Sequence, residues 1–263
     1  MGRRRDRRTT LMPRARICKL AVQMSALGTG LWVAAQAGAA TEQPVTLHYV
    51  ERPPYMMASG EGLTGLTGGP SYQAFMKAKV PVEIRKTPFA RQLHYLEINS
   101  GMDCMIGMFK KPERERFAKY SKPIYQDQPQ MILTSTAKAS RFAGHASVVD
   151  VFNDKKLVLL VKLGYSYGLP LDALIEKYQP TRQTTTDENL AMVRQVKFGM
   201  ADYMLMAPEE ASVAIEAAGL VPKDFRQIKF KNMPGGEYRH LLCSNNVPDE
   251  VMQRLNAAIR FKK

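Results

Sequence analysis

The stretch Asp103-Cys-Met-Ile-Gly107-Met108-Phe109-Lys-Lys-Pro112-Glu-Arg114-Glu-Arg-Phe-Ala-Lys-Tyr120-Ser121-Lys-Pro123-Ile-Tyr125 carries more information than any other in the chain. Residues 102–108 are nearly all apolar, the composition of a strand buried on both faces of a sheet. Pro112 then stands where proline opens a helix, its ring already set for the first turn. Upstream, residues 45–50 read as a short strand ending at the stiff Glu51-Arg52-Pro53-Pro54-Tyr55. A glycine-rich stretch runs over 60–69, a helix over 70–79 and a strand over 80–86. Residues 89–99 form a helix with Phe89, Leu93 and Leu96 on one face, closed by Gly101 as its C-cap. A second series begins after about Thr134. Strands are expected at 156–162, 201–206, 225–231 and 237–244, and helices after Pro170 and at 187–198, 208–218 and 249–261. Alternating strand and helix patterns in two series predict an α/β chain of two lobes. The lobes are joined by extended crossings near 131–136 and 236–244.

The formal charge of +14 on 263 residues divides unevenly. Residues 1–39 hold eight basic side chains and one acidic one, leaving a surplus of seven for 40–263 (30 basic, 23 acidic). Arg14, Arg16 and Lys19 precede a moderately apolar run over 20–35, and Ala37-Gly-Ala39-Ala40 follows as a small-residue cleavage site. Residues 1–39 therefore read as a cleavable signal peptide, with Met12 as an alternative start, and the destination is the periplasm. Of three cysteines, Cys104 and Cys243 remain after cleavage. In an oxidising compartment they can form a disulfide, or they can stay as two buried thiols.

Most chemistry-bearing patterns are excluded by context. Gly60-Glu-Gly62-Leu-Thr-Gly65 spells a dinucleotide fingerprint, but Glu51–Ser59 separates it from the strand that should feed it, so it reads as a surface loop. The four histidines, His48, His94, His145 and His240, are dispersed, and no metal or cofactor is expected. A nucleophile elbow is lacking, and no catalytic residue is assigned. Lys110, Lys111, Arg114, Arg116 and Lys119 cluster without a nucleic-acid-reading motif, so no nucleic-acid partner is expected.

The stretch 103–125 resembles the extracellular solute-binding proteins of family 3, the amino-acid-type receptors of ABC importers. Their pattern is roughly D-x-x-x-x-G-M-T-x-T-P-E-R followed by F-S-x-P-Y. The Gly107-to-Arg114 spacing and Tyr120-Ser121-x-Pro123 match, while the Asp103-to-Gly107 interval is one residue short. Residues 45–55 resemble the family's first strand and Pro-aromatic turn, and 190–206 its helix, glycine turn and aspartate-led strand at Asp202. The resemblance implies a periplasmic-binding-protein type II fold, in which two α/β lobes close like a hinged trap on a ligand. Its lobes would be 40–134 with the return 237–263, and 135–236. Arg114 would clamp a ligand carboxylate with a bidentate, charge-assisted pair. Backbone N–H groups of Gly107, Met108 and Phe109 and the helix opened by Pro112 would assist. Tyr55 and Phe109 would wall the first lobe, and Tyr165, Tyr167 and Gly168 the second.

Three departures from the family pattern concern the ammonium of an α-amino acid. Its hydroxyl partner is replaced by Phe109, its second-lobe aspartate by Ala207, and the threonine after the ligand-facing glycine by Leu169. A buried ammonium without acceptors costs several kcal/mol. An atypical member is therefore expected, binding a small carboxylate with an apolar or aromatic body, unless Glu51, Glu209 or Glu210 substitutes as acceptor. The resemblance implies a monomer that delivers its solute to an inner-membrane ABC permease and is not an enzyme. Two alternatives are a ligand-presenting partner of a membrane sensor and a dehydratase-like enzyme with Glu51 or Glu209 as its acid/base group.

Overall fold

The computed structural model describes residues 42–261. The expected signal peptide, residues 1–39, lies outside the described residues. The first series comprises strand β1 (Val45–Tyr49), the hairpin strands β2 (Met57–Ser59) and β3 (Gly62–Thr64), helix α1 (Gly68–Ala78), β4 (Val82–Lys86), α2 (Phe89–Glu97), β5 (Asp103–Phe109) and β6 (Ala118–Gln126). The second comprises β7 (Met131–Ser135), α3 (Val148–Asn153), β8 (Leu159–Lys162), α4 (Leu169–Tyr178), β9 (Arg182–Thr185), α5 (Asn189–Lys197), β10 (Tyr203–Met206), α6 (Pro208–Ala217) and β11 (Phe225–Ile228). The chain then returns as β12 (Tyr238–Ser244) and α7 (Asp249–Ala258). One sheet has the order β4-β1-β5-β12-β6, the other β11-β7-β10-β8-β9. Each is the sheet of one α/β lobe. Among the described residues no helix is long and apolar enough to cross a membrane.

β5 is central to the first sheet, parallel to β1 and antiparallel to β12, and all seven of its residues are buried. Cys104 and Ile106 pack with Phe75 of α1 and Val251 and Leu255 of α7. Met105 and Met108 pack on the other face, with Phe89 and Leu96 of α2. Strict alternation would place Met108 opposite Met105. Three steps along β5, from Met105 to Met108, instead oppose two along β12, from Leu242 to His240. Gly107 absorbs the extra residue at φ +72°, a conformation glycine adopts without penalty. Cys104 and Cys243 lie opposite each other in the β5–β12 pair and are joined by a disulfide across 139 residues of sequence.

Several expectations are corrected. The first crossing is not at 131–136, because Met131–Ser135 is a fully buried strand of the second sheet. The second is not at 236–244, because Tyr238–Ser244 is a strand of the first sheet. The chain changes sheets between Gln126 and Met131 and between Ile228 and Tyr238. The two crossings touch, with Asp127 N–H donating to Glu237 O at 3.1 Å. The glycine-rich stretch 60–69 is not a loop throughout: it holds the turn and second strand of the β2–β3 hairpin and, from Gly68, the start of α1. α2 is closed by Asn99 in the left-handed region (φ +52°), ahead of Gly101. Pro112 opens only a five-residue 3₁₀ turn, Pro112–Arg116, too short to present a helix N-terminus to an anion.

Candidate functional site: a cleft closed by its own side chains

The C-terminal end of β5 and the turn after it bring Arg114 to the junction of the lobes. The 3₁₀ turn folds the side chain inward, and the residue is 4% exposed. Its Nη1 donates to Phe109 O at 3.3 Å and its Nη2 to Gly164 O of the second lobe at 2.8 Å. Among the described residues Arg114 makes no ion pair. Gly107, Met108 and Phe109 are strand residues paired with or beside β12, so they are not the open turn expected. Gly107 O accepts from Arg239 Nη1 at 2.8 Å.

Three other cations converge here, none of which the sequence reading assigned to the site. Arg52 follows β1, and its Nε and Nη2 donate to both carboxylate oxygens of Glu210 in α6 at 2.6 and 2.7 Å. Its Nη1 donates to the Tyr165 hydroxyl at 2.7 Å. Arg239, in β12, pairs in the same two-pronged way with Asp127 at 2.5 Å. Its guanidinium lies between the rings of Tyr55 and Phe109, 4.4 and 4.3 Å from their centroids. Lys162, at the end of β8, donates to Glu188 at 2.6 Å. The other oxygen of Glu188 accepts the Phe89 N–H, at the start of α2 in the first lobe, at 2.9 Å.

Burial opposes the charge on Arg52, but Glu210 outweighs it and the guanidinium's pKa rises. Arg239 follows the same logic, with Asp127 as the compensating charge. Burial pushes the Tyr165 hydroxyl up, yet the guanidiniums of Arg52 and Arg239 prevail and hold it below its ordinary value. Burial drives Tyr55 and Tyr167 upward, so both stay neutral. Tyr125 is pushed up to about 12, first by burial and then by Glu209.

Of the expected site residues, Gly107, Met108, Phe109, Arg114, Tyr165 and Tyr167 do come together around the cleft. The voids they line with Arg52, Lys162 and Arg239 are about 10, 10 and 20 Å³, each with room for about one water. Tyr165 borders all three. Tyr55 is not on the wall. It is fully buried beneath Arg52 and Arg239, and its hydroxyl points at Glu209 at 3.3 Å. Gly168 faces the second crossing, where a side chain would meet Glu237 Cγ at 2.5 Å. Leu169 is 44% exposed, and Ala207 is buried against the first lobe's core. Glu209 is held by Tyr55, Tyr125 and the Gln128 N–H, at 3.3, 3.3 and 3.0 Å. A depression of about 520 Å³ is bordered by Lys110, Tyr120, Lys122, Leu169 and His240 and touches neither Arg52 nor Arg114.

No family model matches the sequence, and no curated protein matches it. Solved structures do match in shape. One belongs to glutathione import in Gram-positive bacteria via GshT and the cystine ABC importer TcyBC of Streptococcus mutans. It has a TM-score of 0.65 and 16% identity, covering 83% of this chain and 88% of that one. Another is the arginine-, lysine-, histidine-binding protein ArtJ from Geobacillus stearothermophilus, with a TM-score of 0.64 and 14% identity over 82% and 88% of the two chains. A third is the ancestral amino acid-binding protein AncCDT-1, a precursor of cyclohexadienyl dehydratase, with a TM-score of 0.60 and 18% identity over 82% and 87%. These identities speak for the architecture alone: the chain has the two-lobed α/β fold of the type II periplasmic binding proteins.

Proposed function

We propose that this chain is a periplasmic solute-binding protein that closes its lobes on a small carboxylate-bearing solute and delivers it to an ABC importer's permease. The observation that carries the reading is Arg114. It is a buried cation at the lobe junction that hydrogen-bonds two carbonyl oxygens and, among the described residues, pairs with no carboxylate, whereas Arg52, Arg239 and Lys162 each have one. A solute carboxylate would supply the missing counter-charge in a charge-assisted pair. The shape likeness to a glutathione and cystine import component and to an amino-acid-binding protein supports this class of function.

The reading is that of an atypical member of the group, because an α-amino acid's ammonium has little to bind. Phe109, Ala207 and Leu169 offer no acceptor side chain, and Glu210 is already engaged by Arg52 and Asn189. Binding without turnover is part of the proposal. The acid/base candidate Glu209 sits among hinge groups, accepting from Tyr55, Tyr125 and the Gln128 N–H.

The test is a thermal-shift screen of small acids and amino acids, followed by calorimetry on the hits. Arg114→Ala should weaken binding of any acid found by roughly 30-fold or more, the consequence of removing one partner of a desolvated charge pair. Unchanged affinity in that variant would end the clamp assignment.

A further inference from the structure

Tyr165 is held at both ends by first-lobe arginines. Arg114 Nη2 donates at 2.8 Å to the carbonyl of Gly164, the acyl half of Tyr165's own peptide bond. Arg52 Nη1 donates at 2.7 Å to its hydroxyl. Between those ends the ring meets Phe89 and Tyr167 edge-on, at centroid separations of 5.6 and 5.3 Å. The Arg52 and Lys162 cations lie 5.6 and 5.8 Å from the ring centroid. The residue stands on an irregular turn between Gly164 (φ +70°) and Gly168 (φ +96°), not on a strand or helix. Three small voids at the cleft open onto it, as does an outer depression of about 260 Å³. An amide carbonyl is a weaker acceptor for a guanidinium than a carboxylate is. The Arg114–Gly164 contact is therefore one that an acid group improves on.

We propose that Tyr165 is an internal stand-in for the solute, and that the solute is an aryl carboxylate with a polar group at the far end of its ring, the class of the phenolic acids. The inference rests on the carboxylate-clamp reading of Arg114 and adds the rest of the ligand to it. Opening of the lobes withdraws the phenol with the second lobe. The solute's carboxylate then takes Arg114, its ring takes the place beside Phe89, and its ring hydroxyl takes Arg52, all three groups of the first lobe. The internal tyrosine lowers apparent affinity by the fraction of molecules in which it fills the seat. It also selects against aliphatic acids, which leave the aromatic walls and Arg52 unmatched.

The experiment is calorimetric titration of the purified protein with para-hydroxyphenylpropanoate and with phenylpropanoate. The hydroxylated acid should bind, and the unsubstituted one about tenfold more weakly, for want of the hydrogen bond to Arg52. Tyr165→Ala should tighten the hydroxylated acid by about tenfold or more, since the competitor is gone. Tyr165→Phe, which keeps the ring and spares the fold, should tighten it by a smaller factor. Weaker or unchanged binding in Tyr165→Phe overturns the inference. So does the finding that aliphatic acids bind in an Arg114-dependent way while neither aryl acid binds, an outcome that leaves the carboxylate clamp standing. If no acid of any kind depends on Arg114, the clamp and this inference fall together.

Discussion

Arg239 is 1% exposed, yet it carries a full charge in the middle of the molecule. Three kinds of partner make that possible: the Asp127 carboxylate, the Gly107 carbonyl, and the faces of Tyr55 and Phe109. The planar guanidinium suits this place, since its edge pairs with a carboxylate while its faces stack on rings. Replacing Arg239 with alanine strands a buried carboxylate, so unfolding in urea should show a loss of about 3–5 kcal/mol. The double variant Arg239→Met with Asp127→Leu should lose clearly less than the single one, because no uncompensated charge remains. Equal losses would mean that packing, not charge, makes this site sensitive. Such residues are poorly visible in a sequence. Asp127 and Arg239 are 112 positions apart, and Arg52 and Glu210 are 158 apart. Arg52 stands within Glu51-Arg52-Pro53-Pro54-Tyr55, which reads as a stiff turn. Only the fold brings its partner. Arg114 was visible because its spacing from Gly107 and Pro112 is local.

Among the elements, those with a strong period were evident, whereas two of the four edge strands, β6 and β9, were not. β5 and β10 are short apolar runs buried throughout, and α2, α5, α6 and α7 carry regular apolar faces. β6 is an edge strand containing Pro123, Lys119 and Lys122, with only every third residue or so buried. Its pattern is that of a strand solvated on one side, where proline costs no ladder bond. β9 is the edge of the second sheet and has no fully buried residue. Between the sheets, the crossings depend on one glycine. A Cβ at Gly236 would lie 1.6 Å from Asp127 O and 2.4 Å from its carbonyl carbon, both backbone atoms that cannot swing aside. Gly236→Ala should therefore cost about 1–3 kcal/mol or more, read by thermal or urea unfolding. Gly235→Ala, with nothing within 4 Å of its added carbon, should stay within about 0.5 kcal/mol of wild type. Similar behaviour of the two variants would show that the crossings can separate without strain.

At the scale of the whole molecule, two α/β series were enough to expect two lobes, but not the state of the cleft between them. That state depends on long-range polar contacts: Arg52 with Glu210 and Tyr165, Tyr55 with Glu209, Arg114 with Gly164, and Glu188 with the Phe89 N–H. Apolar burial between lobes would favour a permanently closed body, whereas polar contacts can be exchanged for water or for a solute at modest cost. The Arg52–Glu210 pair is the most consequential, because Glu210 is fully buried and Arg52 nearly so. Glu210→Gln keeps the side-chain shape but turns one of the two acceptor oxygens into an N–H donor facing the guanidinium, and it leaves the Arg52 charge uncompensated in the closed form. Opening the lobes lets water solvate that charge. The open–closed equilibrium should accordingly shift toward open by about 2–5 kcal/mol, the usual consequence of neutralising one partner of a desolvated pair. Small-angle scattering of the variant should show a larger radius of gyration than wild type, and a tight acid ligand should restore the compact value by mass action. A variant that scatters like wild type without ligand would place the closing force elsewhere, at Arg114 and Glu188, and the same measurement on Arg114→Ala and Glu188→Gln would then apportion it.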